Sequence, residues 1–129
     1  MRFIESRLLG IQIDEAGREV VLSFIDSQGR RFAVQLHGVE RLLVSEMRQQ
    51  NVVEAVTQWK RGGSPVGLRE AAFSLMTGVD EKDCAPELAM VAREVADRVV
   101  RGDLELMEVN AIFGAQVLAS FASMQTIWC

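Results

Sequence analysis

The chain has 129 residues, 49% of them apolar and 25% charged, with a formal net charge of −4. This is the size and composition of one globular domain, residues 1–129, able to bury roughly 68% of its unfolded surface without a disulfide or metal staple. It excludes disorder and disfavours nucleic acid, whose phosphates would repel a negative chain, while suiting a basic partner.

The first strands are announced by two turns of one pattern, Asp14-Glu15-Ala16-Gly17 and Asp26-Ser27-Gln28-Gly29. The aspartate can accept hydrogen bonds from the backbone ahead of it, and the glycine takes the positive φ that closes a hairpin. The flanks alternate: Leu9, Ile11 and Ile13; then Val20, Leu22 and Phe24 opposite Glu19 and Ser23; then Phe32, Val34 and Leu36 opposite Arg31 and Gln35. Period two over β-branched and aromatic residues predicts a three-stranded antiparallel meander over residues 3–36 with one wet face.

After His37-Gly38 the spacing of Val39, Leu42, Leu43 and Met47 predicts a short amphipathic helix that ends near Asn51. Residues 52–59 read as a strand that stops at Lys60-Arg61-Gly62-Gly63. Ser64-Pro65 predicts a helix start, with Leu68, Ala72, Leu75 and Met76 as its buried stripe and Gly78 as its stop. Residues 79–83 form a charged, exposed connection. A second helix opens at Pro86-Glu87, buries Leu88, Val91, Ala92, Val95 and Val99, pairs Arg93–Asp97, Glu94–Arg98 and Asp97–Arg101 on its wet side, and ends at Gly102. Leu104, Leu106 and Glu108 alternate with Glu105, Met107 and Val109 in a further strand. Gly114 marks a turn, and Val117 to Trp128 reads as one last strand, with helix as the alternative. The order β-β-β-α-β-α-α-β-β predicts an α+β fold: an antiparallel sheet begun by the meander, with helices on one face.

Little of this sequence carries chemistry. His37 is the only histidine, and no spacing ties it to Cys84 or to a serine as a nucleophile–base pair, so a capping or packing role explains it better than catalysis. One histidine with two distant cysteines, Cys84 and Cys129, supplies no metal-ligand set, and the free thiols suit a reducing compartment. Gly62-Gly63-Ser64-Pro65-Val66-Gly67 lacks the order of a phosphate loop. No cofactor is expected, and the chain is read as a non-enzyme. No run of about 18 apolar residues could cross a membrane, and Met1-Arg2-Phe3-Ile4-Glu5 lacks a signal peptide's apolar core, so the cytoplasm is the expected location. The basic pairs Arg30-Arg31 and Lys60-Arg61 sit at strand ends and build no nucleic-acid patch.

The densest carboxylate run is Asp80, Glu81, Asp83 and Glu87, between the two long helices. It is either a solvated loop or a negative patch that selects a basic protein partner and speeds its docking. Trp59 and Trp128 end apolar strands, where they serve as core residues or as interface anchors.

The stretch Leu36-His37-Gly38-Val39-Glu40-Arg41-Leu42-Leu43-Val44, followed by Glu46, Asn51 and Val52-Val53, together with the strands before it, resembles small bacterial immunity partners of polymorphic toxins, including those of contact-dependent growth inhibition. The resemblance covers about the first 60 residues. It implies a cytosolic, non-enzymatic protein that neutralises a toxin by binding it; combined with the acidic charge, the expected partner is a basic, nuclease-type toxin domain. A small-ligand-binding or self-associating domain, a homo-oligomer among the options, is the alternative.

Overall fold

A computed structural model describes residues 3–112 and 114–129. Met1 and Arg2, which belong to the N-terminal segment read above for a signal peptide, lie outside the described residues. The chain runs β1 (Arg7–Ile13), β2 (Glu19–Ile25), β3 (Arg31–His37), β4 (Arg41–Ser45), β5 (Val53–Trp59), α1 (Leu68–Thr77), a 3-10 turn (Glu81–Asp83), α2 (Pro86–Arg101), β6 (Glu105–Ala111), β7 (Gln116–Phe121) and β8 (Ser123–Trp128).

The meander forms as its turns require. Gly17 and Gly29 take φ of 74° and 81°. Asp14 Oδ1 accepts the N–H groups of Arg18 and Glu19, and Asp26 Oδ1 those of Gln28 and Arg30. Val20, Leu22 and Phe24 lie opposite Leu36, Val34 and Phe32, and all six are buried. One detail of β1 departs from simple alternation. The register shifts between Leu8 and Gly10, so Leu9 is an exposed extra residue and Leu8 takes the inward place opposite Phe24. A bulge resets the period by one, which the run Leu9, Ile11, Ile13 conceals.

The strands form two antiparallel sheets, β1-β2-β3-β8 and β4-β7-β6-β5. The sheets share a bent ribbon. β3 turns into β4 at Gly38–Glu40, β7 turns into β8 at Ala122, and β3 pairs with β8 while β4 pairs with β7. At the bend Gly38 has φ 66°, and a Cβ there would lie 2.9 Å from the Cβ of Ala122. On the opposite side β1 meets the start of β5 through the bridge Arg7–Val52, with Leu8 N–H donating to the Asn51 carbonyl and Val53 N–H to that of Ser6. The sheets thus wrap into a flattened barrel filled by Leu22, Phe24, Phe32, Leu36, Met107, Val109, Val117 and Phe121.

α1 and α2 cover the outer wall of the second sheet, where Leu68, Ala72, Leu75, Val95 and Val99 meet Trp59, Leu106 and Leu118. The helices therefore lie on one face, as expected. The outer wall of the first sheet, with Ser23, Ala33, Gln35 and Gln125, carries no helix among the described residues.

Five expectations need correction. Residues 39–47 contain β4, not a helix: with the barrel on one side and helices on the other, Leu42 and Leu43 both find apolar neighbours, so a strand here loses its alternation and mimics helical spacing. Residues 117–128 hold two strands rather than one. α1 begins at Leu68, not at Ser64-Pro65, because the loop before it folds back so that the Val66 carbonyl accepts the indole N–H of Trp59 at 2.7 Å. α2 is rotated from the expected stripe: Ala89, Ala92, Val95 and Val99 are buried, while Leu88 and Val91 are 49% and 44% exposed. Its arginines also choose other partners than the i, i+4 carboxylates. Arg93 reaches Glu81, Arg98 reaches Glu40, and Arg101 bridges Glu94 and Asp103.

Candidate functional site: an acidic cleft on the helical layer

α1 ends at Gly78, whose φ of 74° and N–H bond to the Ser74 carbonyl cap it. The chain then reverses through the 3-10 turn and re-enters as α2 at Pro86. This return lays the turn beside the exposed flank of α1. A cleft of about 440 Å³ opens there, lined by Glu70 and Phe73 of α1 and by Asp80, Glu81 and Lys82. Phe73 is its apolar floor, only 1% exposed and packed against Ala89 and Ala92 of α2.

The carboxylates differ in what they are free to do. Glu81 accepts hydrogen bonds from Arg69 of α1 and, at 3.4 Å, from Arg93 of α2. The Arg69 hydrogen bond is the main reason its carboxyl is held below the ordinary glutamate range. Glu81 thus ties the two helices together, and its charge is already met. Asp80 and Glu70 are exposed and enter none of the ion pairs among the described residues. Of the four residues singled out in the sequence, the structure brings Asp80 and Glu81 into the cleft and leaves Asp83 and Glu87 outside its lining. Glu70 was missed. It stands alone in sequence, and only the position of α1 beside the returning turn shows it as part of the same cleft.

Other chemistry-bearing groups are dispersed. His37 Nδ1 lies 2.7 Å from Glu19 Oε2, a cross-strand pair on the bare wall of the first sheet. Cys84 is half-buried beside Phe73, and Cys129 is exposed. No grouping of three His, Cys, Asp or Glu suited to a metal occurs among the described residues, and no helix there is long and apolar enough to cross a membrane. A second hollow, about 320 Å³, sits at the barrel end between Ile4, Glu5, the Asp26–Arg30 turn and Trp128. There the Arg30 guanidinium lies 5.1 Å from the Trp128 ring centroid. Trp59 is a core residue at 4% exposure; Trp128 is 47% exposed. No protein-family model matches the chain, and comparison with curated proteins and with solved structures returns no match.

Proposed function

We propose that the chain is a non-enzymatic binding protein that seats a basic side chain of a protein partner in the cleft between α1 and the 3-10 turn. The observation that carries this reading is that Glu70 and Asp80, two exposed carboxylates that enter no ion pair among the described residues, line one cleft. A lysine or arginine entering the cleft would lay its alkyl stem along the cleft's apolar lining and its charge beside the two carboxylates. The partner, following the resemblance of the first 60 residues to immunity proteins, is a basic toxin domain. The carboxylates would take positions its nucleic-acid phosphates would otherwise occupy, and the bound chain would block access.

The test begins with capture of partners from the cells that encode the chain, by tagged wild type and by a Glu70→Lys/Asp80→Lys variant. Glu81 is left intact because it holds the helices together. Wild type should retain a basic protein that the variant loses. Association should slow steeply with salt, since the Debye length falls from about 10 Å at 0.1 M to about 3 Å at 1 M. Expression of that protein alone should arrest growth, and co-expression of the chain should restore it. A partner held equally by the variant and at high salt overturns the cleft; a partner harmless when expressed alone overturns the toxin reading.

A further inference from the structure

Four strand edges border the two sheets: β1, β8, β4 and β5. Three carry features that hinder the addition of another strand. β1 is bulged at Leu9, and its first half is bridged to Val52. β5 is bulged at Glu54. β4 has only five residues, opens on Arg41 and is followed by Glu46 at φ 55°, which turns the chain away. β8 has none of these. Ser123-Met124-Gln125-Thr126-Ile127-Trp128 contains no charge, glycine, proline or bulge, and it stays in unbroken register with β3 from Phe32–Trp128 to His37–Ser123. An edge of that kind is a template for a further strand.

The ladder fixes which backbone groups the edge offers. Cys129 N–H donates to the Arg31 carbonyl at 3.1 Å. Antiparallel alternation then turns the N–H and C=O groups of Ser123, Gln125 and Ile127 toward β3, and those of Met124, Thr126 and Trp128 outward. No described residue pairs with that outward side.

We propose that this edge pairs antiparallel with β8 of a second copy of the chain, about a two-fold axis at Thr126. That register engages all three outward-facing residues in about six backbone hydrogen bonds. On the barrel side it sets Thr126 against Thr126 and Met124 of one copy against Trp128 of the other, a sulfur–aromatic contact that covers the exposed indole. On the outer side Gln125 meets Ile127. Two copies at −4 repel at long range, but this edge opposes no charge to its like. It also lacks the charged groups that would select a foreign peptide, whereas a second copy matches it residue for residue. The two four-stranded sheets become one eight-stranded sheet, and the acidic cleft, on the helical layer over the other sheet, is not involved.

The test uses the full chain with Cys84→Ser and Cys129→Ser. Thr126→Cys should yield a covalent dimer on mild oxidation, because facing Cα atoms of a hydrogen-bonded pair lie about 5.5 Å apart, within disulfide reach. Gln125→Cys should not, since the two copies of that residue are offset along the strands. In sedimentation equilibrium the wild type should show a concentration-dependent dimer. Thr126→Lys, which opposes two like charges at the axis, should weaken it at least about tenfold. Thr126→Pro, which removes an outward N–H and spares the β3 ladder, should do the same, with folding of both variants checked by circular dichroism. A wild type that stays monomeric, a dimer untouched by folded Thr126 variants, or cross-linking through Gln125→Cys as readily as through Thr126→Cys would overturn the proposal; the last would place the contact on the bare sheet wall.

Discussion

Asn51 shows how much one side chain can organise. It is 1% exposed, and its amide makes four bonds: Oδ1 accepts the N–H of Arg48 and of Ala115, while Nδ2 donates to the carbonyls of Leu8 and Arg48. It joins the approach to β5, the first strand and the β6–β7 turn at one point, the seam where the two sheets meet. Gly114 beside it leaves no room for a Cβ, which would lie 2.4 Å from the Asn51 oxygen. Asn51→Ala should therefore strand buried backbone groups and cost about 2–4 kcal/mol in urea unfolding, while Asn51→Asp, which loses the donor and buries a charge, should fare no better. A loss under about 0.5 kcal/mol would show that water replaces the amide. At Gly29, φ 81° with open space around the missing Cβ makes backbone strain the only penalty, so Gly29→Val should destabilise by about 1 kcal/mol or more. Sequence reasoning foresaw the glycine from its Asp-x-x-Gly turn. It read Asn51 as a helix end, because an asparagine that stops a helix and one that bridges three segments look alike until the segments are assembled.

Ion pairs add ties between elements that already pack through apolar clusters. Arg98 of α2 grips Glu40, in the bend between β3 and β4, through two bonds of 2.8 and 2.7 Å, and Glu81 spans α1 and α2. The Arg98 hydrogen bond holds Glu40 below the ordinary glutamate range, and Arg69 does the same to Glu81; the Asp26 carboxylate is lowered chiefly by the backbone N–H of Arg30. Folded values below the unfolded ones mean that this stability is present at neutral pH. It is lost as pH falls past about 4.5 for the glutamates and 3.8 for Asp26, and on through the lowered values. The melting temperature should therefore fall on acidification. Glu40→Gln should be less stable than wild type at pH 7, by about 0.5–1 kcal/mol after solvent screening, and the gap should close as pH falls from 4.5 through the lowered value. A constant gap across that range would remove the ionic account. The alternating elements were legible at this scale; of the doubly covered ones β5 and β6 were read as strands and β4 was not. β2 and β3 face barrel on one side and solvent on the other, so their period shows; β4 has apolar neighbours on both sides and hides it. The acidic run was legible as charge, but not that Glu81 is already held by two arginines or that Glu70 lines the same cleft as Asp80.

At the scale of the whole molecule, a barrel carries a helical hairpin on one wall and leaves the other bare. The hairpin meets the barrel through one face only, and α2 keeps Leu88, Met90 and Val91 exposed. Amide exchange should accordingly find the α1–turn–α2 segment opening at lower free energy than β2, β3 and β7, whose side chains fill the barrel; equal protection throughout would make the two layers a single cooperative unit. The bent ribbon has a further consequence, in time rather than in space. β3 finds its second neighbour only in β8, which follows β4 to β7 in the chain, and Phe32 must wait for Trp128. While a ribosome extends the chain, the meander leaves the tunnel with Val20, Leu22, Phe24, Phe32, Val34 and Leu36 on one face, covered only in part by Phe3 and Leu8, and the cover stays incomplete until β6, β7 and β8 have followed. Such non-local pairing places refolding in the millisecond-to-second regime. It also means that ribosome-bound chains stalled before residue 116 should remain protease-sensitive and bind chaperones, while chains released past β8 should not.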